Sequence, residues 1–191
     1  MTPQIYCDPK KIVGGFPPTG VFRACNVNKS VNDCSPMSHI ANLALFLSTL
    51  TPPQREQAEF LIFTNAVSQI ESGGNFEAVG DGGKSIGAWQ MGVASWICAN
   101  QWRKAHNLPT IKRTEWRNKE NQRAMAGAYL YWCRDQLIKG SIKNPTYIQI
   151  YIAYGWGYSN FKDVGFDLTK VPAEKLDAAE RVNNITQELL K

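Results

Sequence analysis

The chain has 191 residues and carries 21 Lys+Arg against 16 Asp+Glu, a formal charge of +5, with 43% apolar, 11% aromatic and 19% charged residues. At this length folding buries roughly 70% of the unfolded chain's surface, enough for one real core, which excludes disorder as the general state. No repeat recurs at a period of 20–50 residues, so a solenoid is excluded, and the longest convincing apolar run, Ile40 to Leu50, is about half the roughly 20 residues a membrane-spanning helix requires.

In chain order, residues 1–36 are rich in Gly, Pro, Asn and Ser and show no sustained period, which predicts an irregular extension. The first 25 residues hold no continuous apolar stretch, being interrupted by Asp8, Lys10, Lys11, Gly14, Gly15, Pro17 and Pro18, so no cleavable leader is expected. Met37 to Leu50 reads as a short apolar helix, and residues 1–50 as an N-terminal extension to a domain spanning 51–191. Thr51-Pro52-Pro53 signals a helix start. The helix runs to about Glu71, with Phe60, Phe63, Val67 and Ile70 in one apolar stripe, and Ser72-Gly73-Gly74-Asn75 stops it. Residues 72–90 are too glycine-rich for regular helix; any β-structure is a small hairpin around Val79 to Gln90. Further helices are predicted at about 93–106, 115–139, 146–155 and 172–190, giving a mainly α fold with a small hairpin or glycine-rich loop near its middle.

Charge is unevenly placed. Residues 51–100 hold five acids and two bases, whereas residues 101–123 hold seven bases (Arg103, Lys104, Lys112, Arg113, Arg117, Lys119, Arg123) and two acids. Such a basic stretch beside an acidic one suits an anionic polymer, either nucleic acid or bacterial cell wall, though a solvated helix face explains it equally. Nucleic acid is disfavoured because the bases form no recognition motif. Five cysteines cannot all pair; Cys25 and Cys34 could close a short loop, while Cys98 and Cys133 read as small core residues. No CxxC or Cys/His spacing suits zinc, and His39 and His106 are isolated, so neither a metal nor another cofactor is expected.

The chemistry concentrates in Ile70-Glu71-Ser72-Gly73-Gly74-Asn75 and Gly80-Asp81-Gly82-Gly83-Lys84-Ser85-Ile86-Gly87-Ala88-Trp89-Gln90-Met91. A carboxylate in the last turn of an amphipathic helix meets the negative end of the helix dipole. Val67 and Ile70 desolvate it, and both effects favour the protonated form. A Glu held protonated can deliver a proton to a leaving oxygen. The glycines let a bulky polymer approach the backbone, and Ser85 and Gln90 offer neutral hydrogen bonds. A solvated Glu before a helix-terminating glycine pair is the plainer alternative.

Glu71-Ser72-Gly73-Gly74-Asn75, followed by Gly80-Asp81-Gly82-Gly83-Lys84-Ser85-Ile86-Gly87 and Gln90, resembles the soluble lytic transglycosylase and goose-type lysozyme superfamily over about residues 53–165. The resemblance implies a lysozyme-like helical fold in which Glu71 is the acid/base. It places Ser85, Gly87 and Gln90 on the cleft floor and the Tyr154 hydroxyl near Glu71. Ala153-Tyr154-Gly155-Trp156-Gly157 stands where the family carries a third motif, with Gly155 in place of the usual Asn. It further implies a single Glu working with the substrate's N-acetyl group, leaving a 1,6-anhydro sugar end. Asp81, the only acid between Gly80 and Met91, is the candidate second carboxylate should the enzyme instead hydrolyse, since two-carboxylate glycosidases hold their acids roughly 5–9.5 Å apart.

Six tryptophans are many for this length, and their faces suit sugar rings. Trp89 and Trp156, inside the motifs, are the expected sugar contacts. Trp132, at helical spacing from Tyr129 and Cys133, reads as core, and Lys84 as solvated. The function these residues imply is cleavage of peptidoglycan glycan strands, with segment 101–123 holding the anionic wall and no stable membrane insertion. A wall-cutting protein without a visible leader fits a phage product, an endolysin or a virion-associated lysin, whose residues 1–50 would meet virion components. The departure at Gly155 keeps open a module that grips cell wall without cutting it.

Overall fold

The structure, a computed structural model, describes residues 45–191. Their architecture is mainly helical, with six helices and one two-stranded sheet between residues 52 and 189. The helix expected over 37–50 falls mostly outside the described residues; within them, 45–48 are helical.

Helix α1 spans Pro52–Ser72. Thr51 N donates to the Gln54 side chain at 3.1 Å, and the two prolines occupy the first turn, where no intrahelical partner is lost. Its other end closes on Gly73 at φ 65°: Gly73 N bonds Gln69 O and Gly74 N bonds Ser68 O, each at 3.0 Å. This left-handed stop satisfies carbonyls the helix leaves open, and it fixes where Glu71 sits.

The glycine-rich segment folds into strands β1 (Val79–Gly80) and β2 (Ser85–Ile86), antiparallel, with Val79 opposite Ile86 and Gly80 opposite Ser85. A 3₁₀ turn, Asp81–Gly83, joins them. Residues 87–90 then reverse the chain, so that Met91 bridges back to Ile86. The expected hairpin is therefore present, with two-residue strands.

Helix α2 covers Val93–Ala105 and helix α3 covers Lys119–Lys139. The predicted start of α3 at 115 is four residues early. Arg113–Glu115 form a separate 3₁₀ turn, and the Asn118 side chain caps the helix by accepting from Asn121 N at 3.0 Å. Helix α4, Tyr147–Ile152, passes into a π-helical turn at Ala153–Gly157, then α5, Tyr158–Asp163. Helix α6 spans Ala173–Leu189.

All six helices share one apolar core. Phe60, Phe63 and Val67 of α1 meet Met125, Leu130 and Cys133 of α3, with Trp96, Ile150, Phe161 and Val182 from the other four helices. Helix α3 buries Gly127 and the apolar Met125, Ala126, Ala128, Tyr129 and Leu130 in unbroken succession, so it is enclosed on several sides rather than along one stripe. Cys133 is fully buried, and Cys98 is half-buried against the core; both are free thiols. Trp132 differs from its expected place: it is half-buried at the core's edge. Cys25 and Cys34 lie outside the described residues. Among the described residues, no helix is long and apolar enough to cross a membrane.

Candidate active site

Glu71 lies in the last turn of α1, half-buried, where α4 and the glycine-rich loop converge. Burial pushes its carboxyl above the usual carboxylate range. The Tyr151 hydrogen bond and the charge of Lys175 pull it back, and the charge of Asp81 adds to the upward push. Tyr151 of α4 donates its hydroxyl to Glu71 Oε1 at 2.8 Å, and no other group among the described residues bonds this carboxyl. With Oε1 occupied as acceptor, the acid proton belongs on Oε2. Burial and the neighbouring carboxylate raise the Tyr151 phenol, so it stays a donor.

The tyrosine bonded to Glu71 is thus Tyr151, while Tyr154 lies near enough for the Glu71 charge to help raise its phenol, after burial. The Tyr154 hydroxyl donates to the backbone carbonyl of Trp89, and its ring stands 6.1 Å from that of Tyr151, near parallel. One turn of helix separates the two, and the loop carbonyl captures the second. The signal that could have found Tyr151 is its i, i−3 spacing from Tyr154, which places both on one helix face.

The second motif is brought beside Glu71, but most of its polar side chains serve the loop itself. Ser72 Oγ donates to Ala88 O at 2.8 Å and accepts from Asn75 N at 3.0 Å, tying the end of α1 to the turn at 87–90. Ser85 Oγ donates to Asp81 Oδ2 at 2.6 Å, and Gln90 Nε2 donates to Gly87 O at 2.9 Å. Ser85 thereby spends its only hydroxyl proton, whereas Gln90 Nε2 keeps a second N–H. Asp81 is exposed, at φ 51°.

Trp89 is a correction. Its ring is 2% exposed, edge-on to Phe76 at 5.7 Å, and its indole N–H donates to Thr64 O of α1 at 2.7 Å. An indole that finds both an apolar slot and a carbonyl buries itself, so Trp89 pins the loop to α1 rather than meeting ligand. Trp156 is half-buried in the π turn, beside exposed Gly155. A Cβ at residue 155 would make only ordinary contact with the Tyr151 ring, so space does not demand the glycine there.

Sequence reasoning also missed Gln122. This buried side chain accepts from Ala88 N at 2.9 Å and donates to Phe76 O at 2.9 Å and Trp116 O at 2.7 Å. One amide thus satisfies three backbone groups from three segments. Gly87 stands directly against it at φ 75°, and a Cβ there would overlap Gln122 Oε1. Both the backbone angle and the close approach require glycine.

The basic stretch divides in the same way. Arg103 is 6% exposed and donates to Pro109 O at 2.8 Å, while Arg113 donates to Lys84 O at 2.9 Å. These two hold loops. Lys119 and Arg123 instead lie 5.3 and 5.0 Å from the Phe76 ring, and Arg123 also pairs with Glu120 at 2.8 Å. Lys84 is exposed, as expected. Among the described residues, no group of three or more His, Cys, Asp or Glu could hold a metal ion. No protein-family model, curated protein or solved structure matches the chain.

Proposed function

We propose that the protein is a peptidoglycan lytic transglycosylase on a lysozyme-like helical fold, with Glu71 as its single acid/base. The observation that carries this reading is the Glu71–Tyr151 pair. A half-buried carboxyl at a helix end is raised by burial and bonded through one oxygen, with its other oxygen turned to the proton-donating role. The resemblance of the Glu71 and Ser85–Gln90 motifs supplies the substrate class.

In this mechanism Glu71 Oε2–H protonates the glycosidic oxygen that links N-acetylmuramic acid C1 to O4 of N-acetylglucosamine. The C1–O4 bond breaks, and its electron pair and the proton leave with the N-acetylglucosamine hydroxyl. The muramic N-acetyl oxygen closes on C1. The muramic O6 then attacks C1 and expels that oxygen, while its proton passes to the Glu71 carboxylate, which regenerates the acid. Tyr151 stabilises the carboxylate in the interval through a charge-assisted bond. Lys175 acts in the same direction. The exposed Lys119 offers positive charge to the carboxylates of the wall's peptide stems.

Hydrolysis is the second reading, favoured by Asp81, whose charge is felt at Glu71. Mass spectrometry of digested sacculi separates the two. The transglycosylase leaves an anhydro end lighter than a hydrolysed end by one water. Absence of any released muropeptide, or equal release by Glu71→Gln, overturns both.

A further inference from the structure

A polar and aromatic recess lies between α2 and α3, away from Glu71. Phe60, whose ring stacks on Tyr131 at 3.8 Å, is eleven residues before Glu71 on α1, about 16 Å along the helix axis at 1.5 Å per residue. Tyr131 stacks in turn on Trp102 at 5.1 Å, and Trp102 on His106 at 3.9 Å. Tyr131 and His106 do not pair with each other, so they cover opposite faces of the indole. The imidazole is then the outer ring of a four-ring stack.

Beside that stack is a recess of about 220 Å³ bordered by His106, Trp132, Asp135, Gln101, Gln136 and Lys139. Its polar atoms are set by their neighbours. Trp102 Nε1 donates to Asp135 Oδ2 at 2.9 Å, while Asp135 Oδ1 lies 3.9 Å from Arg134 Nε, too far for a hydrogen bond. His106 Nδ1 lies 2.8 Å from Trp102 O. A carbonyl only accepts, so the proton is on Nδ1, and Nε2 is the atom left for a ligand.

We propose that this recess binds one pyranose ring of a neutral glycan. A sugar ring has apolar C–H faces and a rim of hydroxyls that donate and accept together. The recess matches both, with flat rings in Trp132 and His106, a carboxylate acceptor in Asp135, and two amides in Gln101 and Gln136 that act either way. Other ligand classes fit less well. Asp135 repels a phosphate, Lys139 repels a small cation, and an apolar molecule would strand the carboxylate and amides. The volume falls below the roughly 300–1,000 Å³ typical of drug-sized ligands, so it suits a single ring. This assignment goes beyond the cleavage reading and does not depend on Glu71, because sugar can be held here whether or not it is cut elsewhere.

The test is titration of the ¹⁵N-labelled protein with chitotriose, an uncharged β-1,4-linked trisaccharide, following the six tryptophan indole N–H signals. Saturable shifts are expected at Trp102, whose N–H reports on Asp135, and at Trp132. Gln136→Ala, on the helix surface, and Trp132→Phe should each weaken the titration at least fivefold while the other indole signals keep their free-state positions. The proposal is overturned if the Trp102 and Trp132 signals stay still at millimolar chitotriose, or if the Trp102 shift persists unchanged in both variants. Should Trp132→Phe fail to fold, Gln136→Ala alone decides. Failure here leaves sacculus cleavage, read by released muropeptides, as a separate question.

Discussion

Glu71 stands between two unlike walls. On one side is the glycine-rich loop, whose Ser72, Ser85, Gln90 and Trp89 side chains all bond within the loop or to α1. On the other is α4, which contributes the single hydroxyl aimed at the carboxyl. The loop wall is held by its own side chains; the helix wall supplies the one hydrogen bond to the carboxyl among the described residues. A motif rich in polar residues is therefore no guide to which of them face a substrate, since a short loop with two-residue strands must hold itself together through side chains.

Five substitutions probe that division, and the first bears on the carboxyl between the walls. Glu71→Gln is expected to lower muropeptide release by about 10²–10⁴-fold, the range for a lost general acid. The same variant carries a stability signature. The folded state raises the carboxyl above its unfolded value of 4.5, so it binds the proton more tightly than the unfolded chain does. That contribution is full below pH 4.5 and is lost as pH rises through the folded value. Glu71→Gln should accordingly melt higher than wild type at neutral pH, with the gap closing as pH falls towards 4.5; a gap that widens on acidification breaks the account.

Next comes the anchor of the loop wall. Gln122→Ala leaves Ala88 N, Phe76 O and Trp116 O without their partner, at about 1–3 kcal/mol for each group that stays buried. Its urea midpoint should fall well below that of any single loop variant. On the helix wall, Tyr151→Phe should slow cleavage by about 10–100-fold, the worth of a hydrogen bond to a charged group. Because that bond lowers the Glu71 carboxyl, its loss should move the alkaline limb of the pH–rate profile upward. Tyr154→Phe, which frees a loop carbonyl instead, should lower stability without moving that limb. If both tyrosine variants shift the profile equally, the assignment of Tyr151 over Tyr154 fails. The smallest effect belongs to Ser85→Ala, which removes a bond to an exposed carboxylate. Less than about 1 kcal/mol should be lost in chemical denaturation, with little change in cleavage.

Local signals made much of the scaffold legible. Thr51-Pro52-Pro53 and Ser72-Gly73-Gly74 bracket α1 to within a residue, because caps are written in neighbouring residues. The hairpin was readable from its glycines, although not its brevity. What escaped depends on distant partners or on a break in period. Helix α3 starts at Lys119 because Asn118 caps it, four residues after the predicted start. Helix α5 and the π turn were missed, since a π turn keeps helical composition while changing the register. Trp89 and Gln122 drew opposite errors for one reason: each is defined by acceptors and donors far away in sequence, Thr64 for the indole, and Phe76 and Ala88 for the amide.

The π turn at Ala153–Gly157 has a consequence for how this protein can change over time. In genetic terms a π turn is a helix with one surplus codon, and each residue advances an α-helix by about 100°. Gly157, at φ 100° and ψ 135°, breaks the helix after the turn, so deleting a residue between 153 and 157 would leave Tyr151 where it is and shift what lies downstream. Phe161, fully buried on α5, would be carried out of the core. A lineage that lost the codon would therefore have to rebuild the packing of α5 while the glutamate–tyrosine pair stayed untouched, which lets the C-terminal helices and the chemistry evolve at different rates.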